Sequence, residues 1–134
     1  MQYMLLIYLD ENALSERERE QCYQDSTEFA HHLEASGQYV SAAPLQSTAS
    51  ATSVRIRDGK RLVTDGPFAE TREQLGGFFL VNAKDLDEAI DIAAHIPAGR
   101  WGTVEIRPVV EVPELPKNSF SRSVEFAPPQ STQK

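Results

Sequence analysis

Cysteine is almost absent: Cys22 is the only one in 134 residues. A disulfide within the chain is therefore impossible, and so is a zinc site built from several thiolates. Long hydrophobic runs are missing too. The opening Met1-Gln2-Tyr3-Met4-Leu5-Leu6-Ile7-Tyr8 has no basic leader, and its apolar run is too short for a signal core. No stretch reaches the roughly 20 apolar residues that cross a bilayer, so the expected compartment is the cytoplasm. Positive charge is in deficit, with 20 acidic side chains against 13 basic ones and a formal net charge of -7. That balance argues against non-specific binding to a nucleic-acid backbone, which needs clustered Lys and Arg, and against an anionic membrane as partner. No motif calls for a metal or a cofactor.

What is present fits one domain with a real core, since 40% of the residues are hydrophobic. Residues 2–9 are aliphatic and aromatic and read as a strand. Ser15 with Glu18 three residues on is a capping box, which predicts a helix from there to about Ser36. Cys22, Ser26, Phe29, Ala30 and Leu33 fall on its inner face, and Gly37 is the expected C′ residue. Tyr39 to Leu45 reads as a second strand. Ser53-Val54-Arg55-Ile56-Arg57 alternates polar and apolar, Asp58-Gly59 is a strong hairpin signal, and residues 60–64 return. Residues 76–82 read as a buried strand. Asp85 and Glu88 cap a second helix carried by Leu86, Ala89, Ile90, Ala93 and Ala94, which stops near Ile96-Pro97. Residues 103–110 alternate again. The order is β-α-β, an inserted hairpin, then β-α-β. Without the hairpin this is the split βαβ pattern of an α+β, ferredoxin-like fold. The domain spans 1–112, and 113–134 reads as an extended tail with Phe120 and Phe126 as its anchors. Two helices cover one face of such a sheet. Strands at 4–8 and 78–81 look apolar on both faces, which predicts a homodimer stacked through the bare face.

The run Asp65-Gly66-Pro67-Phe68-Ala69-Glu70-Thr71-Arg72-Glu73-Gln74-Leu75-Gly76-Gly77-Phe78 closely resembles the DGPF branch of the YCII-related family, which commonly has lysine at the position of Arg72. Residues 3–8, 54–60, 85–89 and 104–109 are similar to the family as well, so the likeness covers about 1–112. It implies a dimeric α+β barrel, similar in fold to muconolactone isomerase. Some members carry a His-Asp acid-base pair. Here the matching positions are about Ser26 and Ile96, so that pair is absent. Members of the branch are often encoded near extracytoplasmic-function sigma factors, and their activity is generally unassigned.

The loop after residue 64 admits two readings. In one it is a structural turn: Gly66 bends, Pro67 fixes φ, Phe68 plugs into the core, and the carboxylates are solvated or paired. In the other it lines a pocket at a dimer interface. Asp65 or Glu70 then serves as general base, and Arg55, Arg57 or Arg72, with Phe68 and Thr71, hold an anionic small molecule. His31 and His32 point about 100° apart on one helix and do not share a metal ion. Cys22 reads as a small core residue. Trp101 either caps the core or lines a pocket, and Asp10 at the end of the first strand is placed to face a cleft. Two functions follow. One is a small-molecule-binding protein or acid-base enzyme. The other is a non-catalytic, regulatory interaction module, an idea that rests on the resemblance.

Overall fold

The structure, a computed structural model, describes residues 1–116; the tail anchors expected at Phe120 and Phe126 lie outside them. The first strand, β1 (Gln2–Leu9), alternates cleanly, with Tyr3, Leu5 and Ile7 buried. Helix α1 (Glu16–Ala35) begins at a complete capping box. The Ser15 hydroxyl accepts from the Glu18 N–H at 3.1 Å, and the Glu18 carboxylate accepts from the Ser15 N–H at 2.8 Å. It ends in a Schellman motif: Gln38 N–H donates to the Leu33 carbonyl at 2.8 Å and Gly37 N–H to that of Glu34 at 3.1 Å. Gly37 has φ 79°, where a Cβ is costly.

Strand β2 (Tyr39–Pro44) leads through a linker to the hairpin β3 (Thr52–Arg57) and β4 (Lys60–Asp65). Asp58 and Gly59 both have positive φ, as the two-residue turn requires. Strand β5 (Gln74–Asn82) starts two residues earlier than the apolar run suggested. A bulge at Gly76 lets Leu75 and Gln74 continue the pairing opposite Tyr8 and Leu9. Helix α2 (Leu86–Ala94) is capped by Asp85, whose carboxylate accepts from the Glu88 N–H at 2.9 Å. Its inner stripe is Ala89, Ile92 and Ala93, whereas Leu86 and Ile90 lie on its exposed side. A 3-10 turn at Pro97–Trp101 follows, and β6 (Gly102–Pro108) closes the domain.

The sheet order is β2-β5-β1-β6, with every neighbouring pair antiparallel. This is the ferredoxin-like arrangement, in which each βαβ unit leaves a gap that a strand of the other fills. The core lies between sheet and helices: Leu5 and Val81 are wholly buried, with Phe79, Leu33, Ala89, Ile92 and Ile96 around them. Phe29 meets Phe79 edge to face at 5.7 Å between centroids. The opposite face carries Met4, Leu6, Tyr8, Phe78 and Leu80 in register, all partly exposed.

Two substitutions test this account of the core and the cap. Leu33→Ala is expected to lower unfolding free energy by about 2–5 kcal/mol, through lost transfer and a cavity. Ser15→Ala is expected to cost about 1 kcal/mol through the lost cap. Urea titration monitored by circular dichroism reads both.

Candidate functional site

The loop that follows β4 is held by its own backbone. Gly66, at φ 97°, donates its N–H to the Ala51 carbonyl and accepts from the Ser53 hydroxyl, each at 2.7 Å. The second half is bracketed by side chains. The Thr71 hydroxyl donates to the Glu73 carbonyl at 2.6 Å, and the Gln74 amide to the Thr71 carbonyl at 2.7 Å. The Glu73 carboxylate accepts from the Thr103 hydroxyl at 3.1 Å, which ties the loop to β6.

Phe68 corrects an expectation. It is 86% exposed and does not enter the core. Closure of Gly66 onto Ala51 and Ser53 keeps the loop beside the hairpin base, away from the helices. Phe68 instead borders a shallow groove of about 550 Å³ along β3, shared with Val54, Arg55, Ile56 and Arg57. Asp65 sits at the base of the hairpin, opposite Thr52, while Arg57 sits at its tip, opposite Lys60. Asp65, Glu70, Thr71 and Arg72 are exposed. Among the described residues, the carboxylates of Asp65 and Glu70 have no hydrogen bond or ion pair, and Arg55, Arg57 and Arg72 meet no carboxylate. The expected clustering of these acids with the arginines is therefore not formed within one chain. Opposite ends of a six-residue strand stand well over 10 Å apart.

A much larger space lies elsewhere. Between α1 and the sheet is a cleft of about 1130 Å³. It exists because both walls carry small side chains. On α1 the inward positions Cys22, Ser26 and Ala30 follow at i, i+4, i+8. Across from them stand Ala42 and Ala43 of β2 and Gly76 and Gly77 of β5. A Cβ on Gly77 would come within 2.8 Å of the Ala43 carbonyl, so this wall cannot grow inward. Ile7, Leu9 and Phe79 form the apolar depth. Of the twenty residues of α1 only Leu33 is buried, because its N-terminal half faces this space rather than a packed core. Sequence spacing found the inner face of α1 and read it as core. The signal that distinguishes the two is the lack of any large side chain at three successive inward positions, matched by small residues opposite.

The mouth of the cleft is built around Glu11. Its carboxylate accepts from Thr48 N–H at 2.8 Å and Thr48 hydroxyl at 2.9 Å. Its N–H donates to the Gln74 side chain at 3.1 Å, and its carbonyl accepts from Arg19 at 2.8 Å. One residue thus joins the segment after β1, the linker after β2, the start of β5 and α1. His31 and Glu34, 3.6 Å apart, stand exposed at the rim. Burial pushes the Cys22 thiol up from its ordinary value, and a hydrogen bond with Ser26 opposes that only in part.

Other candidates take structural places. Asp10 caps a 3-10 turn by accepting from Asn12 N–H at 2.9 Å, and does not face the cleft. Tyr8 lies on the outer sheet face. Trp101 is half-buried away from the cleft. His95 bonds the Asp91 carbonyl at the end of α2, at 2.8 Å. Among the described residues no group of three or more His, Cys, Asp or Glu is placed to hold a metal ion. No helix among them is long and apolar enough to cross a membrane.

Comparison with known proteins adds three findings. The model of the YCII-related domain matches residues 1–113. An uncharacterised protein of Rhizobium meliloti (strain 1021) is 37% identical over 114 residues, covering 81% of this chain and 92% of that one. Among solved structures, a 5-chloro-2-hydroxyhydroquinone dehydrochlorinase from Burkholderia phenoliruptrix, in complex with 2,5-dihydroxybenzoquinone, is similar with TM-score 0.53 and 14% identity. That likeness covers 84% of this chain and 96% of the other, and at such identity it concerns the fold.

The thiol on the cleft wall supplies a probe. Cys22 is expected to react with iodoacetamide at pH 8 several-fold more slowly than the same residue in the urea-unfolded chain, because the folded site disfavours the thiolate. Mass spectrometry of timed aliquots measures the ratio. Equal rates would contradict the placement of Cys22 in a desolvated wall.

Proposed function

The chain belongs to the YCII-related family, and on that premise we propose that it binds a small, largely apolar molecule in the cleft between α1 and the sheet. The carrying observation is the cleft itself, about 1130 Å³ with an apolar depth and polar groups gathered at its mouth. That is the usual design of a small-molecule site. Ring compounds with hydroxyl or oxo groups suit it: the ring lies against Ile7, Leu9 and Phe79, and the polar substituents reach Ser26, Arg19 and Tyr23. The similar dehydrochlorinase, crystallised with a dihydroxybenzoquinone, is consistent with this class. Ser26 stands at the position where some family members carry the histidine of an acid-base pair, and it opens into this cleft. Ile96, at the position of the aspartate, is buried in the core. The proposed cleft thus includes the position of that histidine, while the pair itself is missing. Any proton transfer here falls to other groups at the mouth, of which the His31–Glu34 pair is nearest in kind.

A second reading is favoured by the solvated loop and the arginine-lined groove of β3. It keeps the chemistry at Asp65 and Glu70, with Arg55, Arg57, Phe68, Thr71 and Arg72 holding an anion once a partner closes over them. The same exposure suits a non-catalytic interaction module.

A thermal-shift screen of hydroxylated aromatic compounds and common metabolites separates these readings, because a ligand that binds the folded state raises its apparent stability. For a compound that shifts the wild type, Ser26→Leu is expected to weaken binding by about tenfold to a hundredfold, since overpacking typically costs about 1–3 kcal/mol. Asp65→Asn with Glu70→Gln is expected to leave it unchanged. The reverse pattern would move the site to the loop.

A further inference from the structure

Among the described residues the β3–β4 hairpin is exposed along nearly its whole length. Apart from Ser53, every residue of both strands is exposed. Val54 is 59% exposed, Ile56 60% and Val63 57%. A lone two-stranded ribbon is marginal at best in water, and aliphatic side chains exposed along one face make matters worse. The pairing places Val54 opposite Val63 and Ile56 opposite Arg61, so these three aliphatic residues share one face. The other face carries Arg55, Arg57 and Lys60 around Leu62.

The charge of this element is unlike that of the chain. Residues 52–65 hold four cations and two carboxylates, a net of +2, which leaves -9 on the remainder of a chain whose total is -7. Among the described residues an apolar sheet face is likewise only half-buried. Met4, Leu6, Tyr8, Phe78 and Leu80 lie together there, bordered by the Glu73 carboxylate and by the Glu105–Arg107 ion pair at 3.5 Å. Thus one copy offers both an amphipathic basic ribbon, about 20 Å long at the usual rise per residue, and an apolar sheet face on a body of net negative charge.

We infer that the β3–β4 hairpin is an intermolecular arm that clasps a second copy of this chain, its Val54–Ile56–Val63 face extending the interface that buries the outer sheet face. Two-fold symmetry makes the contact reciprocal, so both arms and both sheet faces are covered at once. Arg61, opposite Ile56 on that same face, then meets the acidic body of the partner. This assignment is independent of what occupies the cleft. It also accounts for Phe68 and for the Asp65–Arg72 loop at the arm's base, which lie exposed in one copy beside the surface the partner would cover.

The test uses the full chain. Light scattering after size exclusion is expected to show a dimer for the wild type. Val54→Ser, Ile56→Ser and Val63→Ser together are expected to raise the dimer dissociation constant by about tenfold or more, with the far-UV spectrum of the body retained. Arg61→Glu is expected to do the same through charge reversal. A photo-reactive phenylalanine analogue in place of Ile56, irradiated in a mixture of isotopically light and heavy protein, is expected to yield cross-links between copies. A monomeric wild type, cross-links confined to one copy, or arm variants that leave the dissociation constant unchanged would each overturn the assignment.

Discussion

The central position of β1 is the constraint on which the other elements depend. Its eight residues pair with β5 on one side and β6 on the other, and both pairings are antiparallel. Because β1 feeds α1 and β6 ends the second βαβ unit, that one strand interleaves the two halves of the chain. Each half alone would leave a strand-wide gap. The alternation of Tyr3, Leu5 and Ile7 against Met4, Leu6 and Tyr8 then decides which residues face the helices. A one-residue slip would exchange the two sets. Here the slip would expose Leu5, the most deeply buried side chain of the strand.

Against that frame, α1 behaves as two helices in one. Its C-terminal half is anchored by Leu33, Phe29 and the Schellman turn at Gly37. Its N-terminal end is held by Arg19 on the Glu11 carbonyl, and the cleft lies along the span between these two anchors. The cleft is the consequence. Held at both ends, the helix keeps a cleft over Ala42, Ala43, Gly76 and Gly77, because its own inward Cys22, Ser26 and Ala30 are small. A cavity maintained by ends rather than by its walls is well suited to binding, because filling it asks little rearrangement of the backbone.

The hairpin shows the opposite economy of structure. Its turn chemistry is ideal, with Asp58 and Gly59 in the left-handed region, yet among the described residues its side chains stay exposed. Local rules make the ribbon; they do not stabilise it. The loop that follows is similar in this respect. Gly66, Thr71 and Gln74 satisfy neighbouring backbone groups, so the shape of the run from Asp65 to Gln74 is explained without any ligand, and Phe68 is left in solvent.

Several features were decided by sequence alone. Ser15 with Glu18, Gly37, Asp58-Gly59 and Asp85 with Glu88 set the ends of elements through short-range hydrogen bonds and backbone sterics, and these need no distant partner. The β-α-β order around a hairpin sufficed for the ferredoxin-like class, since few topologies bury two such helices. The same residues that drew attention as a site, Asp65 and Glu70, were legible as a motif and silent about surroundings. What only the tertiary structure decided is where space remains. Cys22, Ser26 and Ala30 have the periodicity of a core face, and periodicity records which way a side chain points, not whether anything meets it there. The distance between α1 and the sheet is set by Leu33, Phe79 and the Glu11 junction, residues far apart in sequence. The cleft, and the exposure of the hairpin among the described residues, are therefore properties of packing, and no single stretch of the chain contains them.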